Sequence, residues 1–248
     1  MPEQAVLVCE PGSPIPRATG EAEEVLFVIE GSGALHAGSE THALEPETGA
    51  YLAPGHDYEL HNEGSGPMRI VCVRIRDPAP PRGATAGTGT ATGARTATGA
   101  GTGDGGVVVR RLADQEAQSA TTDRSFRIVA DPSTGFESAT QFVGYIPPAR
   151  APDHFHTYDE VIYVLEGTGT FSAGGSMRPI GPGSQIELPA RTVHCLENTG
   201  QDVMRLVAVF RPAGSPAHAY YPDGSPAYPG TPPLPVMNDN PHPPEEEE

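Results

Sequence analysis

Tryptophan is absent from this 248-residue chain, aromatic residues make up 6% of it, and cysteine occurs three times. The three thiols, Cys9, Cys72 and Cys195, are too few and odd in number for a disulfide framework and fit a reducing compartment. No apolar run approaches the roughly 18 residues a membrane-crossing helix needs, so no membrane span is expected. The opening "MPEQAVLVCEPGSPIPR" lacks a basic segment followed by an apolar stretch, so no signal peptide is visible and a cytoplasmic location is expected. Positive charge is also scarce. Fifteen Lys and Arg stand against 32 Asp and Glu, a net charge of -17. That balance argues against binding a phosphate backbone, which needs clustered cations; it favours solubility.

Turn-forming residues are abundant instead, with 30 glycines and 28 prolines. Such a composition predicts short strands and many turns rather than long helices. Residues 78–106, "PAPPRGATAGTGTATGARTATGAGTGDGG", are mainly Gly, Ala and Thr and too poor in apolar bulk to offset ordering entropy. They are expected to be a flexible linker. The proline-rich, acidic end, 221–248, is expected to be an extended tail whose first half can lie against a domain. "VRRLADQEAQSA" (109–120) is the best candidate for a short helix.

The flanks of the linker repeat each other. "EVLFVIEGSG" from Glu24 and "EVIYVLEGTG" from Glu160 agree at six of ten positions, 136 residues apart. "NEGSGPMRIVCVR" from Asn62 and "NTGQDVMRLVAVF" from Asn198 keep the same offset. Two blocks with one offset indicate an internal duplication. Each copy alternates β-branched and aromatic runs with Gly, Pro, Asn and Asp, for example "GAYLAPG", "ATQFVGYIPP" and "SQIELPA". Runs of this length and spacing predict two small antiparallel barrels, residues 1–77 and 107–220.

Within the second copy, "DHFHTYDEVIYVLEG" places His154 and His156 two apart and Glu160 four further on. On a strand, residues two apart share a face. A turn near Thr157 to Asp159 returns Glu160 to the face of the two imidazoles, and His194 begins a later strand that can reach across. Three imidazoles and one carboxylate make a ready transition-metal site. Cys195, next to His194, falls on the opposite face by alternation and reads as a buried, inert thiol.

At this point the sequence resembles the cupin superfamily. Its first motif, two histidines around one residue, then a glutamate and a glycine, is matched by His154, His156, Glu160 and Gly167. Its second, glycine, proline, histidine and asparagine, is matched by Gly183, Pro189, His194 and Asn198. Pro148 and Arg191 stand where the motifs have glycine, which affects loop shape rather than ligands. The resemblance implies an all-β protein of two tandem jelly-roll barrels, a bicupin, with one divalent transition metal per chain (Fe, Mn, Ni, Cu or Zn) in the second barrel. At the offset of 136, the first barrel has Ala18, Gly20 and Tyr58 in place of the histidines and retains only Glu24. Its own His36, His42, His56 and His61 lack the motif spacing, so it is expected to be a degenerate partner barrel.

Alternation supplies pocket candidates. Ile162 and Val164 share the parity of Glu160, Phe155 lies between the histidines, and Tyr145 precedes them on an earlier strand. Gln185 and Glu187 share one parity, inward or outward; if inward, Glu187 is the best general acid or base. The apolar character suits a small aromatic or polyketide-like molecule. By the resemblance, the leading reading is an oxygenase acting on a small enolisable or aromatic substrate. The alternatives are a redox-neutral isomerase, cyclase or decarboxylase, and a non-catalytic binding or storage protein. A small-molecule substrate, no nucleic acid, no membrane, and a monomer or homodimer complete the expectation.

Overall fold

The expected β-branched runs all become strands in the structure, a computed structural model that describes residues 1–79, 106–121 and 123–234. The first lobe contains β1 (Glu3–Cys9), β2 (Ile15–Ala18), β3 (Glu23–Glu30), β4 (Gly33–Ala37), β5 (Glu40–Leu44), β6 (Thr48–Leu52), β7 (Asp57–Asn62) and β8 (Met68–Ile75). After it come β9 (Val107–Arg111), β10 (Gln118–Ser119), β11 (Ser125–Ala130) and β12 (Thr140–Ile146). The second lobe closes with β13 (Asp159–Glu166), β14 (Gly169–Ala173), β15 (Ser176–Ile180), β16 (Gln185–Leu188), β17 (His194–Asn198) and β18 (Met204–Arg211). No α-helix occurs among the described residues, and none of their helices is long and apolar enough to cross a membrane. Most of the expected linker, 80–105, and the end of the tail, 235–248, lie outside the described residues.

Each lobe is a jelly-roll barrel of two antiparallel sheets. The first pairs β1-β8-β3-β6-β9 with β2-β7-β4-β5; the second pairs β10-β11-β12-β18-β13-β16 with β15-β14-β17. The near-continuous apolar runs of β3 and β13 are explained by burial on both faces. Leu26 and Val28 point into the first barrel, while Val25 and Phe27 point at the other lobe. Likewise Ile162 and Val164 point into the second barrel and Val161 faces the first lobe. The two larger sheets therefore pack back to back around Val25, Val71, Val73, Val161, Val207 and Val209.

The repeated glycines have a steric cause. Gly31 and Gly167 both have positive φ, 79° and 86°, and a Cβ on either would lie 2.7 or 2.8 Å from the Cα of Met68 or Met204. Asn62 and Asn198 tie the same corner, the amide of Asn198 donating to Ile146 O and Asp202 O while its oxygen accepts from Gly200 N.

Two local expectations change. Residues 107–111, read as the start of the second lobe, pair as β9 with β6 and extend the first lobe's sheet (Leu52↔Val107 to Thr48↔Arg111). The helix expected over 109–120 is instead the end of β9, a single 3-10 turn at Leu112–Asp114, and β10. The chain after β18 stays on the barrel, and the first half of the expected tail lies against it: Phe155 and Tyr220 exchange backbone hydrogen bonds of 2.9 and 3.0 Å, and Tyr220 donates its hydroxyl to Pro232 O at 2.8 Å. Residues 212–234 thus form a strap over one end of the second lobe.

Candidate metal centre

Strand pairing assembles the site. His154 and His194, far apart in sequence, form an antiparallel bridge, with His154 N donating to His194 O at 3.0 Å and His194 N to His154 O at 2.8 Å. His156 sits two residues on, so its ring joins the same side, and its carbonyl accepts from Arg191 N at 2.7 Å. Arg191 has φ of 64°, so the backbone keeps the left-handed turn that glycine would favour there. The chain bends at 157–158 and returns Glu160 as the second residue of β13. All four side chains are buried. Ring centroids are 4.5 Å apart for His154 and His194, 5.2 Å for His154 and His156, and 5.7 Å for His156 and His194. One nitrogen from each imidazole lies within 4.8 Å of the others, and Glu160 lines the same cavity outside that set.

Backbone carbonyls fix the tautomers. Nδ1 of His154 lies 2.7 Å from Pro152 O, Nδ1 of His156 2.7 Å from His218 O, and Nδ1 of His194 2.9 Å from Thr192 O. A carbonyl only accepts, so each Nδ1 carries the proton and each Nε2 keeps a free lone pair. Burial also holds the rings neutral. It lowers His154 to about 4, aided by His194, puts His156 well below the ordinary imidazole range, and lowers His194. Burial acts on Glu160 in the opposite sense and raises it to about 8. Its Oε2 is buried without a hydrogen-bond partner among the described residues. Three neutral nitrogen donors beside an uncompensated carboxylate fit a divalent transition metal, whose charge would supply what burial withholds from Glu160.

Above these groups is a cavity of about 90 Å³. Its walls are largely apolar, including Phe126, Phe142, Ile162, Leu206 and Phe210, and its polar lining adds Arg124, Ser125 and Tyr228. Ile162 is where alternation places it. Val164 has the same parity but lies deeper, within the barrel core and away from the cavity lining. Phe155 is buried against Tyr220, ring centroids 5.6 Å apart, and does not line the cavity.

Two candidates are corrected. Gln185 and Glu187 are exposed, because Ile186 and Leu188 between and after them fill the barrel core. Gln185 accepts from Gln4 Nε2 at 3.4 Å, and Glu187 is no general acid or base for this cavity. Tyr145 lines the cavity as expected, while its ring packs towards the interlobe cluster with Arg205 5.6 Å from its centroid. Cys195 behaves as expected, buried and donating its thiol to Ala151 O at 3.2 Å. Sequence reasoning missed Arg124, Tyr228 and the strap carbonyl of His218, which come from segments with no local motif.

The first lobe shows what becomes of the same carboxylate without histidines. Glu24, fully buried, is paired with Arg17 at 3.1 Å, with Arg74, and with the hydroxyl of Tyr58. Two guanidinium groups and a phenol supply the counter-charge and donors that Glu160 lacks. Leu26, Leu35, Leu44, Leu52 and Leu60 fill the remaining interior.

Two jelly-roll barrels back to back, one filled and one carrying a three-histidine constellation under a small cavity, define a tandem β-barrel protein with a candidate metal centre. The family model of the cupin domain matches residues 5–74 and 141–210, and the chain belongs to that family. No curated protein matches it in sequence. Similar solved structures include Ylba from E. coli, with 14% identity over 84% of this chain and 76% of that one and a TM-score of 0.65. Oxalate decarboxylase is 13% identical over 86% and 70%, TM-score 0.64. Procruciferin, an 11S globulin of Brassica napus, is 13% identical over 88% and 77%, TM-score 0.64. At these identities the likeness is one of fold, shared by an enzyme and a globulin.

Proposed function

We propose that this chain is a metal-dependent cupin enzyme whose second lobe alone holds one divalent transition metal, Fe, Mn, Ni, Cu or Zn, on His154, His156, His194 and Glu160. The observation that carries the reading is the buried, unpaired carboxylate of Glu160 beside three imidazoles whose Nδ1 atoms are all committed to carbonyls. Glu24 supports it by contrast, since the equivalent carboxylate is neutralised by arginine where the histidines are missing.

Bound there, the ion supplies Lewis-acid character and, if redox-active, electrons for dioxygen chemistry. The chain's own residues do the rest. His154, His156 and His194 hold their nitrogens in fixed orientation through the carbonyls behind them. Phe126, Phe142 and Ile162 exclude water and strengthen every polar contact inside. The leading reaction is oxygenation of a small enolisable molecule. A small aromatic substrate suits the same apolar walls. Base-driven isomerisation is less well supported, because among the described lining residues Glu160 is the sole carboxylate.

Elemental analysis of the purified chain tests the centre: one equivalent of metal is expected, lost in His156→Ala. Oxygen uptake in a screen of small enolisable acids and ketones tests the reaction; equal turnover under nitrogen would move the assignment to redox-neutral chemistry.

A further inference from the structure

The cavity lining holds two chemically different sets of groups, and the proposed metal centre accounts for one. The other is formed by Arg124, immediately before β11, and Tyr228 from the strap, both lining the cavity. Arg124 is half-buried, and its Nη2 donates to Leu196 O at 3.2 Å. Among the described residues no carboxylate forms a salt bridge with it, nor with Arg127, Arg178 or Arg191, but of these arginines Arg124 alone lines the cavity. Its chain neighbour Asp123 is exposed and accepts from the Thr121 hydroxyl at 2.7 Å instead. In a chain with 32 acidic residues and 15 basic ones, a guanidinium without an acidic partner beside an apolar cavity calls for an anion. Tyr228 is buried, with its ring 5.8 Å from that of His154, and its hydroxyl forms no hydrogen bond among the described residues.

We propose that the substrate of the metal centre is a short carboxylic acid, its carboxylate held by Arg124 and the Tyr228 hydroxyl while a second oxygen faces His154, His156 and His194. The proposal rests on the metal-centre reading for the second oxygen and on Arg124 and Tyr228 for the carboxylate. Size and polarity agree. A cavity of about 90 Å³ with largely apolar walls has room for a small molecule such as a 2-oxo acid of a few carbons. A guanidinium matches a carboxylate through paired N–H donors, and apolar walls strengthen that contact by removing water.

The test is calorimetric titration of the full chain with pyruvate and its neutral isostere pyruvamide, before and after loading with Mn(II), with metal content measured on the same samples. Wild type is expected to prefer pyruvate. Arg124→Gln is expected to weaken pyruvate binding roughly 10- to 100-fold while leaving pyruvamide binding and metal content unchanged. Tyr228→Phe should cost a few-fold, and Arg124→Lys should fall between wild type and Arg124→Gln because it keeps the charge and loses the fork. Pyruvate binding unchanged in Arg124→Gln, or pyruvamide weakened equally, overturns the proposal. So does a wild type that fails to discriminate the two probes, a comparison that needs no variant to fold. A wild type that takes up no metal overturns the metal centre, and arginine-dependent pyruvate binding by the apoprotein would still support the anchor.

Discussion

At the scale of single residues, the candidate centre is a cluster of groups whose protonation works against one another. Glu160 has a folded pKa of about 8, above its unfolded value. Its contribution to stability is therefore complete below the unfolded carboxylate range, about 4.3, and is lost as pH rises through about 8. His154, lowered to about 4, has the opposite sign. Its contribution is complete above about 6.5 and is lost as pH falls towards about 4. The metal-free chain is thus expected to be most stable between these limbs and to lose on the order of a few kcal/mol on the alkaline side. Glu160→Gln should abolish the alkaline limb and leave the acid one. Thermal unfolding of chelator-treated protein across the range decides it; an alkaline limb that persists in the variant would exclude Glu160 as its cause. The first lobe provides a control. Tyr58→Phe removes a donor to Glu24 and should destabilise by about 1 kcal/mol, without changing the metal content that His156→Ala eliminates.

At the scale of elements, the site depends on the strap as much as on the barrel. The Nδ1 proton of His156 goes to His218 O, and Tyr158, stacked on the His156 ring at 5.5 Å, donates to Ser215 O at 2.6 Å. Deleting residues 215–234 should leave the strands in place, yet weaken metal binding about 10- to 100-fold, the usual cost of losing a partner behind a ligand. Competition with a chromogenic chelator measures this, and unchanged affinity would mean that the strap does not orient His156. The strap also marks what could and could not be read from sequence. The four candidate donors were legible because β alternation and motif spacing fix them locally. The repeated glycines were legible because a Cβ at Gly169 would lie 2.0 Å from Glu197 O, a constraint that both copies keep. For Gln185 and Glu187 the phase was present in the apolar Ile186 and Leu188 beside them. Tyr228 carried no local signal, since a proline-rich segment reads as an extended tail until the surface it covers is known.

At the scale of the molecule, the duplication does two jobs with one fold: the second barrel retains the candidate donors, and the first buries the second's outer face. Val143, Val161, Val207 and Val209 project from that face into the interlobe core, and they meet Val25, Phe27, Val71 and Val73 from the equivalent face of the first lobe. The strand β9 ties the lobes further, because it belongs to the first lobe's sheet and leads directly into the second. A barrel released from this arrangement would expose an apolar sheet face larger than monomeric proteins commonly tolerate. The fragment 112–248 is therefore expected to associate, and its most available partner is a second copy presenting the same valine face. Light scattering should find a dimer, and Val161→Asp with Val209→Asp should shift it to monomer or aggregate. In the full chain the same two substitutions should lower the unfolding temperature strongly, since each places an unpaired carboxylate in the interlobe core. A fragment that stays monomeric with native metal content would show that the first barrel is dispensable for the second.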